Sequence, residues 1–199
     1  GEYLALTGAT IGGADACAAG LAAGVLDAGE LPQAWEALAQ GGATAAAALR
    51  GRLAPEPQGA ASGLQARRAE IDRFFSLGDL PAIVSALEAD GSDFAGETAG
   101  ILRKRSPLML HVVLEQLRRA RGMSLADDLR MERGLVRHCF HLRPGATSET
   151  VEGIRALAVD KDHAPRWNPG RIEDVTPAMW QAFFESPWPA HSHPLHGLT

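Results

Sequence analysis

The sequence has few cysteines and no long hydrophobic run. Only two of its 199 residues are cysteine, Cys17 and Cys139, and two thiols so far apart cannot form a disulfide framework. We interpret them as reduced thiols of an intracellular protein. No stretch approaches the roughly 20 apolar residues that cross a bilayer, and the N-terminus lacks the basic region and cleavage pattern of a signal peptide. These absences predict a cytoplasmic protein without a membrane partner.

Excess positive charge is also missing. The formal net charge is −5, so the chain lacks the basic field of nucleic-acid-binding proteins, and no nucleic-acid partner is expected. The composition, 46% hydrophobic and 22% charged, is that of a globular protein, and the length suffices for one domain with a core. The chain enters an apolar segment directly after Gly1, which predicts a fragment of a longer protein.

Strand-forming sequence is scarce, and the dominant period of the apolar residues is helical. Apolar residues recur three and four positions apart in long segments, and helix-forming Ala, Leu, Arg and Glu dominate. The helical segments are 32–50, 80–89, 94–104, 107–121, 125–140, 150–158 and 177–185. The β-rich candidates are short, at 24–26 and 158–159. The sequence therefore predicts a mainly α fold.

Capping residues support two of these helices. Ser106 stands before Pro107, which fits an N-cap hydroxyl followed by proline at the first helical position. Ser124 precedes the next segment, with Asp127 three residues later as a weak capping box. We expect this second helix to bury one apolar face, with arginines on the other side. The face comprises Leu125, Leu129, Val136 and Phe140.

A linker is predicted at residues 54–63, where Pro, Gly and small residues follow one another without any period. It divides the chain into an N-terminal piece, 1–53, and a longer helical piece, 64–199.

A possible dinucleotide-binding turn lies at residues 4–13, but its glycine spacing fails because Ala14 stands where the last glycine belongs. A short-chain dehydrogenase would also need a catalytic tyrosine downstream, and the only tyrosine is Tyr3. We favour the alternative, a short helix that ends at Gly8 and a loop that leads into a second helix.

Histidines do not form a convincing metal site, and neither a metal nor a cofactor is predicted. His191, His193 and His196 lie within six residues, but the terminal position and Pro194 favour a solvated tail over a fixed tetrahedron. The remaining histidines of the helical segments are expected to be partly buried and hydrogen-bonded. They are His111, His138 and His141.

Basic clusters are the remaining candidates for a binding site. Arg103, Lys104 and Arg105 are consecutive, and further arginines occur at 118–121 and 130–133. Most lie near predicted helix C-termini, where cations complement the helix dipole. A polyanion such as coenzyme A could still use one cluster. No nucleophile elbow, catalytic triad or paired carboxylates stand out.

Several stretches, taken together and in order, resemble the C-terminal half of the crotonase (enoyl-CoA hydratase/isomerase) superfamily, most closely its 3-hydroxyisobutyryl-CoA hydrolase branch. They are GEYLALTG at 1–8, ADACAAGLA at 14–22, IDRFF at 71–75, SP at 106–107, SLA at 124–126, LRME at 129–132, VEGIRA at 151–156 and DKDHAPRW at 160–167. The family usually has Asp-Phe-x-Glu-Gly where this chain has residues 149–153, ETVEG. Glutamate caps helices poorly, so Thr147 or Ser148 is expected to cap instead.

The resemblance implies a fold without its catalytic half. Crotonase enzymes have a β-β-α spiral core followed by helices that cover the acyl-CoA site and mediate oligomerisation. Residues 1–53 would be the end of that core and 64–199 the helical cover. The backbone oxyanion donors and catalytic carboxylates lie upstream of the match, so no residue here is expected to be catalytic, and the chain alone is expected to be inactive. The residues that would contact coenzyme A are Arg103, Lys104, Arg105 and Lys161.

The resemblance leaves the reaction open. A hydrolase of acyl-CoA thioesters is favoured, with an enoyl-CoA hydratase or isomerase as the alternative, because what separates these activities lies upstream. A non-catalytic helical oligomerisation module is a third interpretation. Apolar helix faces that lose their core are expected to promote self-association, because large exposed apolar patches rarely persist on monomers.

Overall fold

The computed structural model describes residues 1–54 and 62–199, and this part of the chain is helical. This part contains eleven α-helices. They are α1 (Glu2–Thr7), α2 (Gly13–Ala18), α3 (Leu31–Arg50), α4 (Gly63–Ala66), α5 (Arg68–Phe75), α6 (Leu80–Ala89), α7 (Asp93–Lys104), α8 (Pro107–Ala120), α9 (Leu125–His141), α10 (Glu149–Ile154) and α11 (Pro177–Gln181). The mainly α prediction is confirmed.

Neither of the two short β-rich stretches forms a strand in the described residues. At 24–26 a single antiparallel bridge joins Val25 to Ala54, and the chain then turns into the 3₁₀ helix Ala28–Glu30 before a ladder can form. At 158–159 the apolar residues belong to the π-helical turn Arg155–Val159, which continues α10. Hydrophobic runs this short do not distinguish strand from helix.

The predicted caps are present. The Ser106 hydroxyl accepts a hydrogen bond from the Met109 N–H at 3.2 Å, and the Ser124 hydroxyl accepts one from the Asp127 N–H at 3.2 Å. Ser148, one of the two residues expected to replace the family's usual cap, begins α10 by accepting from the Val151 N–H at 3.3 Å. Each serine satisfies a backbone donor that the first helical turn leaves free.

The chain forms two compact units, Gly1–Gly8 with Phe74–Thr199, and Ala9–Arg73. In the second unit, the Asp15 carboxylate accepts from the Ser62 hydroxyl at 2.8 Å and from the Leu64 N–H at 2.9 Å. The predicted segment 32–50 contains a break at Gly42, whose φ of 51° interrupts α3. Residues 55–61 of the predicted linker lie outside the described residues, and the assignment of 1–53 and 64–199 to core and cover stays a prediction.

The core of the first unit brings α1 together with α6, α7 and α8. Leu80, Ile83, Leu87 and Leu102 are completely buried, and the Tyr3 ring packs edge-on against Phe75 at 5.3 Å. A second buried cluster joins α8, α9 and the 3₁₀ turn Ala182–Phe184. Its buried members are Leu108, Val112, Leu135, Val175 and Phe183.

The face of α9 that we expected to be buried is exposed. The side chains of Leu125, Leu129, Val136 and Phe140 are 74%, 36%, 55% and 46% exposed. The buried residues are instead Gly134, Leu135 and His138, because α9 packs against the 3₁₀ turn through a different face. The sequence of α9 has apolar residues on both faces, and periodicity alone cannot choose which one meets the core.

His138 is more unusual than predicted, because it is buried but neither ring nitrogen makes a hydrogen bond among the described residues. Its ring lies 6.2 Å from that of Phe183. Burial, reinforced by the nearby Arg137, lowers its pKa, and Glu185 opposes the shift. Burial also lowers the pKa of His111. Both imidazoles therefore favour the neutral form in the folded protein.

We expect the free energy of unfolding to fall as the pH is lowered from about 7 to about 5.5. The unfolded chain takes up protons at histidines of ordinary pKa, about 6.5, whereas buried His138 resists protonation, so acid favours the unfolded state. Urea unfolding of the protein and of His138→Leu across this range would measure the effect. The variant should lose part of the pH dependence, whereas Leu142→Met, an exchange of one apolar side chain for another at the exposed end of α9, should keep it. Equal pH dependence in all three proteins would contradict the assignment.

Candidate functional site

A cleft of about 800 Å³ in the first unit opens between α1, α8, α10 and the segment that follows the π-helical turn. Its walls are mostly apolar, with Leu6, Met109, Val113, Ile154, Leu157 and Trp167 among the lining residues. Lys104, Arg105 and His163 add basic groups to the lining. An apolar trough with a few convergent polar groups is the usual form of a small-molecule site.

A buried hydrogen bond joins two walls of this cleft. The Ser106 hydroxyl donates to Glu149 Oε2 at 2.5 Å and also caps α8, so both its donor and an acceptor lone pair are used. The other carboxylate oxygen of Glu149 accepts from the Asn168 N–H at 3.0 Å and the Arg143 guanidinium at 3.5 Å. Ser106 and Glu149 therefore position the helices, and neither is free to act on a substrate as nucleophile or base.

Glu152, one helical turn further along α10, is equally committed. Arg155 donates to both of its carboxylate oxygens, at 2.9 and 2.7 Å, and the Arg166 N–H donates at 2.6 Å. These hydrogen bonds, chiefly that from Arg155, lower the pKa of Glu152 to about 2. Arg155 also binds the carboxylates of Asp160 and Asp162, at 2.6 and 2.7 Å. One guanidinium thus holds the turn beside the cleft.

That turn contains two residues in the left-handed region, Lys161 at φ 55° and His163 at φ 53°. Such conformations are uncommon outside glycine and require support from their surroundings. Support comes from the His163 N–H, which donates to the Ala156 carbonyl at 3.0 Å, and from Asp162, which accepts from the Ala164 N–H at 2.9 Å. The turn presents His163 to the cleft and leaves Lys161 exposed.

The four residues proposed from the sequence to contact coenzyme A differ in their surroundings. Lys104 and Arg105 line the cleft, whereas Arg103 binds Glu88 through two hydrogen bonds, at 2.7 and 3.0 Å, and pairs with Glu173. Arg105 donates to the Thr7 carbonyl at 2.6 Å. The Lys104 ammonium makes no hydrogen bond or ion pair with the described residues. The cleft therefore brings together Lys104 and Arg105, while Arg103 and Lys161 lie outside its lining.

Sequence reasoning missed two residues of the cleft, His163 and Trp167, whose indole N–H donates to the Lys104 carbonyl at 3.2 Å. Both lie in the stretch 160–167 that carries the resemblance, but no spacing rule marked them. The alternative to the dinucleotide turn is confirmed, since α1 ends with Gly8 at φ 68° and a loop leads to α2. The tail prediction is wrong for His193, which is buried against Trp188.

Within residues 1–54 and 62–199, no three His, Cys, Asp or Glu side chains are arranged to hold a metal ion. Among the same residues, no helix has the length and apolarity needed to cross a membrane.

Comparison with known proteins identifies the family. The sequence profile described as enoyl-CoA hydratase/isomerase matches residues 1–184. The chain belongs to this family. It is 33% identical over 193 residues to 3-hydroxyisobutyryl-CoA hydrolase 1 of Arabidopsis thaliana, covering 93% of the chain and 50% of that protein. It is also 33% identical to the mitochondrial 3-hydroxyisobutyryl-CoA hydrolase of Gallus gallus, covering 88% of the chain and 46% of that protein.

Solved structures agree with this assignment and with the fold. An enoyl-CoA hydratase from Rhodobacter sphaeroides is 31% identical with a TM-score of 0.74, covering 94% of the chain and 51% of that chain. A carnitinyl-CoA dehydratase from Mycobacterium thermoresistibile is 34% identical with a TM-score of 0.72. That match covers 92% of this chain and 50% of the dehydratase chain. The chain thus spans about half the length of the relatives it matches, and the predicted resemblance to the helical C-terminal region of the family is confirmed.

Replacement of Arg155 tests whether it holds the turn. In Arg155→Met, the pKa of Glu152 should rise from about 2 toward its ordinary 4.5, because the carboxylate loses its charged donor. The backbone N–H groups of His163 and Arg166 should exchange several-fold faster as the turn loosens. NMR titration and hydrogen exchange would measure both effects. As a control, Arg68→Met removes an exposed ion pair with Asp72 in the other unit and should change neither the pKa of Glu152 nor the exchange rates. Unchanged exchange of the His163 and Arg166 N–H groups in Arg155→Met would contradict the role of Arg155 in holding the turn.

Proposed function

We propose that this chain is the C-terminal half of an enzyme that hydrolyses CoA thioesters of the 3-hydroxyisobutyryl-CoA type. The observation that carries the proposal is the match to hydrolases of that name, which extends over about nine-tenths of the chain and half of each relative. The cleft supports it, because a CoA thioester combines anionic phosphates with a long arm of methyl, methylene and amide groups, and the cleft has mostly apolar walls with Lys104 and Arg105 among its lining residues.

In this proposal the chain supplies binding and cover, while the chemistry is supplied by the other half. Thioester hydrolysis needs donors for the developing oxyanion and a group that activates water. Both buried carboxylates near the cleft, Glu149 and Glu152, already hold serine, arginine and backbone donors. The hydrogen bonds to Glu152 lower its pKa to about 2, so this carboxylate is a poor proton acceptor. The chain alone is therefore expected to be inactive.

Among the four proposed contacts to coenzyme A, the arrangement favours Lys104 and Arg105. Lys104 has an ammonium with no partner among the described residues, so its charge is available to a phosphate. Arg103 would have to leave two carboxylates, and Lys161 would act from the exposed turn. A cytoplasmic location stays a prediction, and the Gallus gallus relative is named as mitochondrial.

A hydratase or isomerase remains the second candidate, because one similar structure is titled an enoyl-CoA hydratase. Both reactions require the same CoA contacts and stabilise negative charge at the thioester carbonyl. The C-terminal half is therefore compatible with either, and only measured turnover of a complete enzyme separates them.

The test joins this chain to the upstream half of its own parent protein, because the residues that separate hydrolysis from hydration are expected to lie there; the joined protein is called the fusion. The fusion should release thiol from 3-hydroxyisobutyryl-CoA at least about tenfold faster than it hydrates crotonyl-CoA, and the chain alone should do neither. Lys104→Ala in the fusion should raise KM for both substrates about three- to tenfold with little change in kcat, because a phosphate contact contributes uniform binding.

Arg50→Ala, a change of an exposed cation in the other unit, should leave both constants unchanged. A fusion that melts cooperatively but hydrates crotonyl-CoA faster than it hydrolyses 3-hydroxyisobutyryl-CoA would favour the hydratase. Turnover by the chain alone would contradict its expected inactivity. A cooperatively folded fusion with neither activity would favour the non-catalytic oligomerisation module.

We also propose that a second copy of the chain covers the exposed face of α9. The apolar stripe of Leu125, Leu129, Val136 and Phe140 spans the helix. From the helical period, Asp128 and Glu132 flank one side of this stripe, while Arg133 and Arg137 flank the other. Two copies of α9 packed in parallel about a two-fold axis would place each acidic flank against the partner's basic flank. In this arrangement the two apolar stripes meet, and opposite charges face each other on both sides of them.

Val136→Glu should shift the mass measured by light scattering at high concentration from the dimer toward the single chain, because a charge would be buried in the stripe. Leu21→Glu makes the same change at an exposed leucine of the other unit and should keep the dimer. A single-chain mass for the unaltered protein at high concentration would refute self-association.

A further inference from the structure

A second cavity, of about 500 Å³, lies in the first unit between the end of α8, the middle of α9 and the C-terminal segment. It shares no lining residue with the cleft described above. Its lining includes His193 and His196 of the histidine-rich tail and Arg119 and Arg130 of two basic clusters. The proposed function uses none of these four residues.

The walls of this cavity are apolar and largely aromatic. Met131, Phe183, Phe184 and Trp188 line it, and the Trp180 ring packs edge-on against Phe184 at 6.4 Å. Such walls suit a flat or aliphatic body of modest size, since small-molecule sites begin at roughly 300 Å³.

His193 supplies a fixed hydrogen-bond donor to the lining. Only 7% of this residue is exposed, and its ring packs edge-on against Trp188 at 5.1 Å. Its Nδ1 accepts from the Leu195 N–H at 3.0 Å, so in the neutral ring the proton lies on Nε2. Among the described residues Nε2 makes no hydrogen bond, and it is not sealed from solvent. His193 thus lines the cavity with a buried ring whose Nδ1 is held by the Leu195 N–H and whose Nε2–H has no partner among the described residues.

Four arginines line this cavity or lie over the ring of Trp188 in its wall. Arg119 lies over the Phe184 ring at 4.2 Å, and Arg130 also lines the cavity. Both are paired, with Glu115 and Asp127, and Glu185 contributes one further carboxylate to the lining. Two more guanidiniums lie over the Trp188 ring without an ion pair among the described residues. They belong to Arg133 and Arg137, at 5.4 and 5.5 Å from the ring centre.

From this arrangement we infer that the cavity binds a small organic monocarboxylate with an aromatic or branched apolar body. The body packs between Met131 and Phe184, and the carboxylate accepts from His193 Nε2–H within the field of the arginines. A charge-assisted hydrogen bond in a partly desolvated site is stronger than its neutral counterpart, so the site distinguishes an acid from its amide. This inference does not depend on the proposed function, since the cleft and the cavity have no residue in common.

Calorimetric titration of the 199-residue chain with phenylacetate, and with phenylacetamide as the neutral probe of the same shape, tests the inference. Phenylacetate should bind once per chain, and the amide at least about tenfold more weakly. His193→Phe should weaken phenylacetate at least about tenfold, whereas His193→Gln, which keeps an N–H donor, should recover part of the loss. Met131→Trp should fill the cavity and abolish binding.

Leu157→Trp alters the wall of the other cleft and should leave phenylacetate binding unchanged. Cooperative thermal melting of each variant separates a lost site from a lost fold. Absence of saturable binding to the unaltered chain, equal affinity for acid and amide, or unchanged binding in a folded Met131→Trp would each overturn the inference. None of these outcomes bears on the thioester hydrolysis tested with the fusion protein.

Discussion

The arrangement of the cleft depends on two carboxylates of one short helix. Glu149 and Glu152 lie three residues apart on α10 and therefore share a face. Glu149 holds the start of α8 through Ser106 and the chain at Asn168, and Glu152 holds the turn through Arg155 and the Arg166 N–H. Because both are buried, loss of either would leave several donors without an acceptor. These hydrogen bonds therefore join the walls of the cleft.

The same constraint bears on the proposal that the cleft binds substrate without supplying a general base. A buried carboxylate that accepts from an arginine and backbone N–H groups is stabilised as the anion, and the pKa of Glu152 near 2 expresses that preference. A general base requires the opposite, a carboxylate that gains from taking a proton. Lys104 and Arg105 in the cleft lining fit the proposed role in binding an anionic substrate. The chain spans about half the length of its relatives, and the proposal assigns the chemistry to the other half.

Local features of the sequence predicted most of the helix bounds but little of their packing. Ser106, Ser124 and Ser148 cap helices through contacts within three residues, so sequence is sufficient to find them. The buried bond between Ser106 and Glu149 joins residues 43 positions apart, and no local pattern encodes it. His193 was predicted to be solvated because tails usually fray. It is buried because Trp188, five residues earlier, provides an aromatic partner. The resemblance includes the stretch 160–167, which forms the turn beside the cleft. The contacts that hold this turn, from Arg155 and Asp162, are evident only from the structure.

Helix α9 shows the limit of periodicity most clearly. At 100° per residue, the buried positions 134, 135 and 138 lie roughly opposite the stripe that contains positions 125, 129, 136 and 140. A helix with apolar residues on opposite faces is suited to burial on both sides, since a surface helix needs only one apolar face. In the described residues one side meets Phe183 and its neighbours, and the other remains open to solvent. Periodicity identified the stripe as apolar, but it could not identify which of the two apolar faces of α9 meets the core.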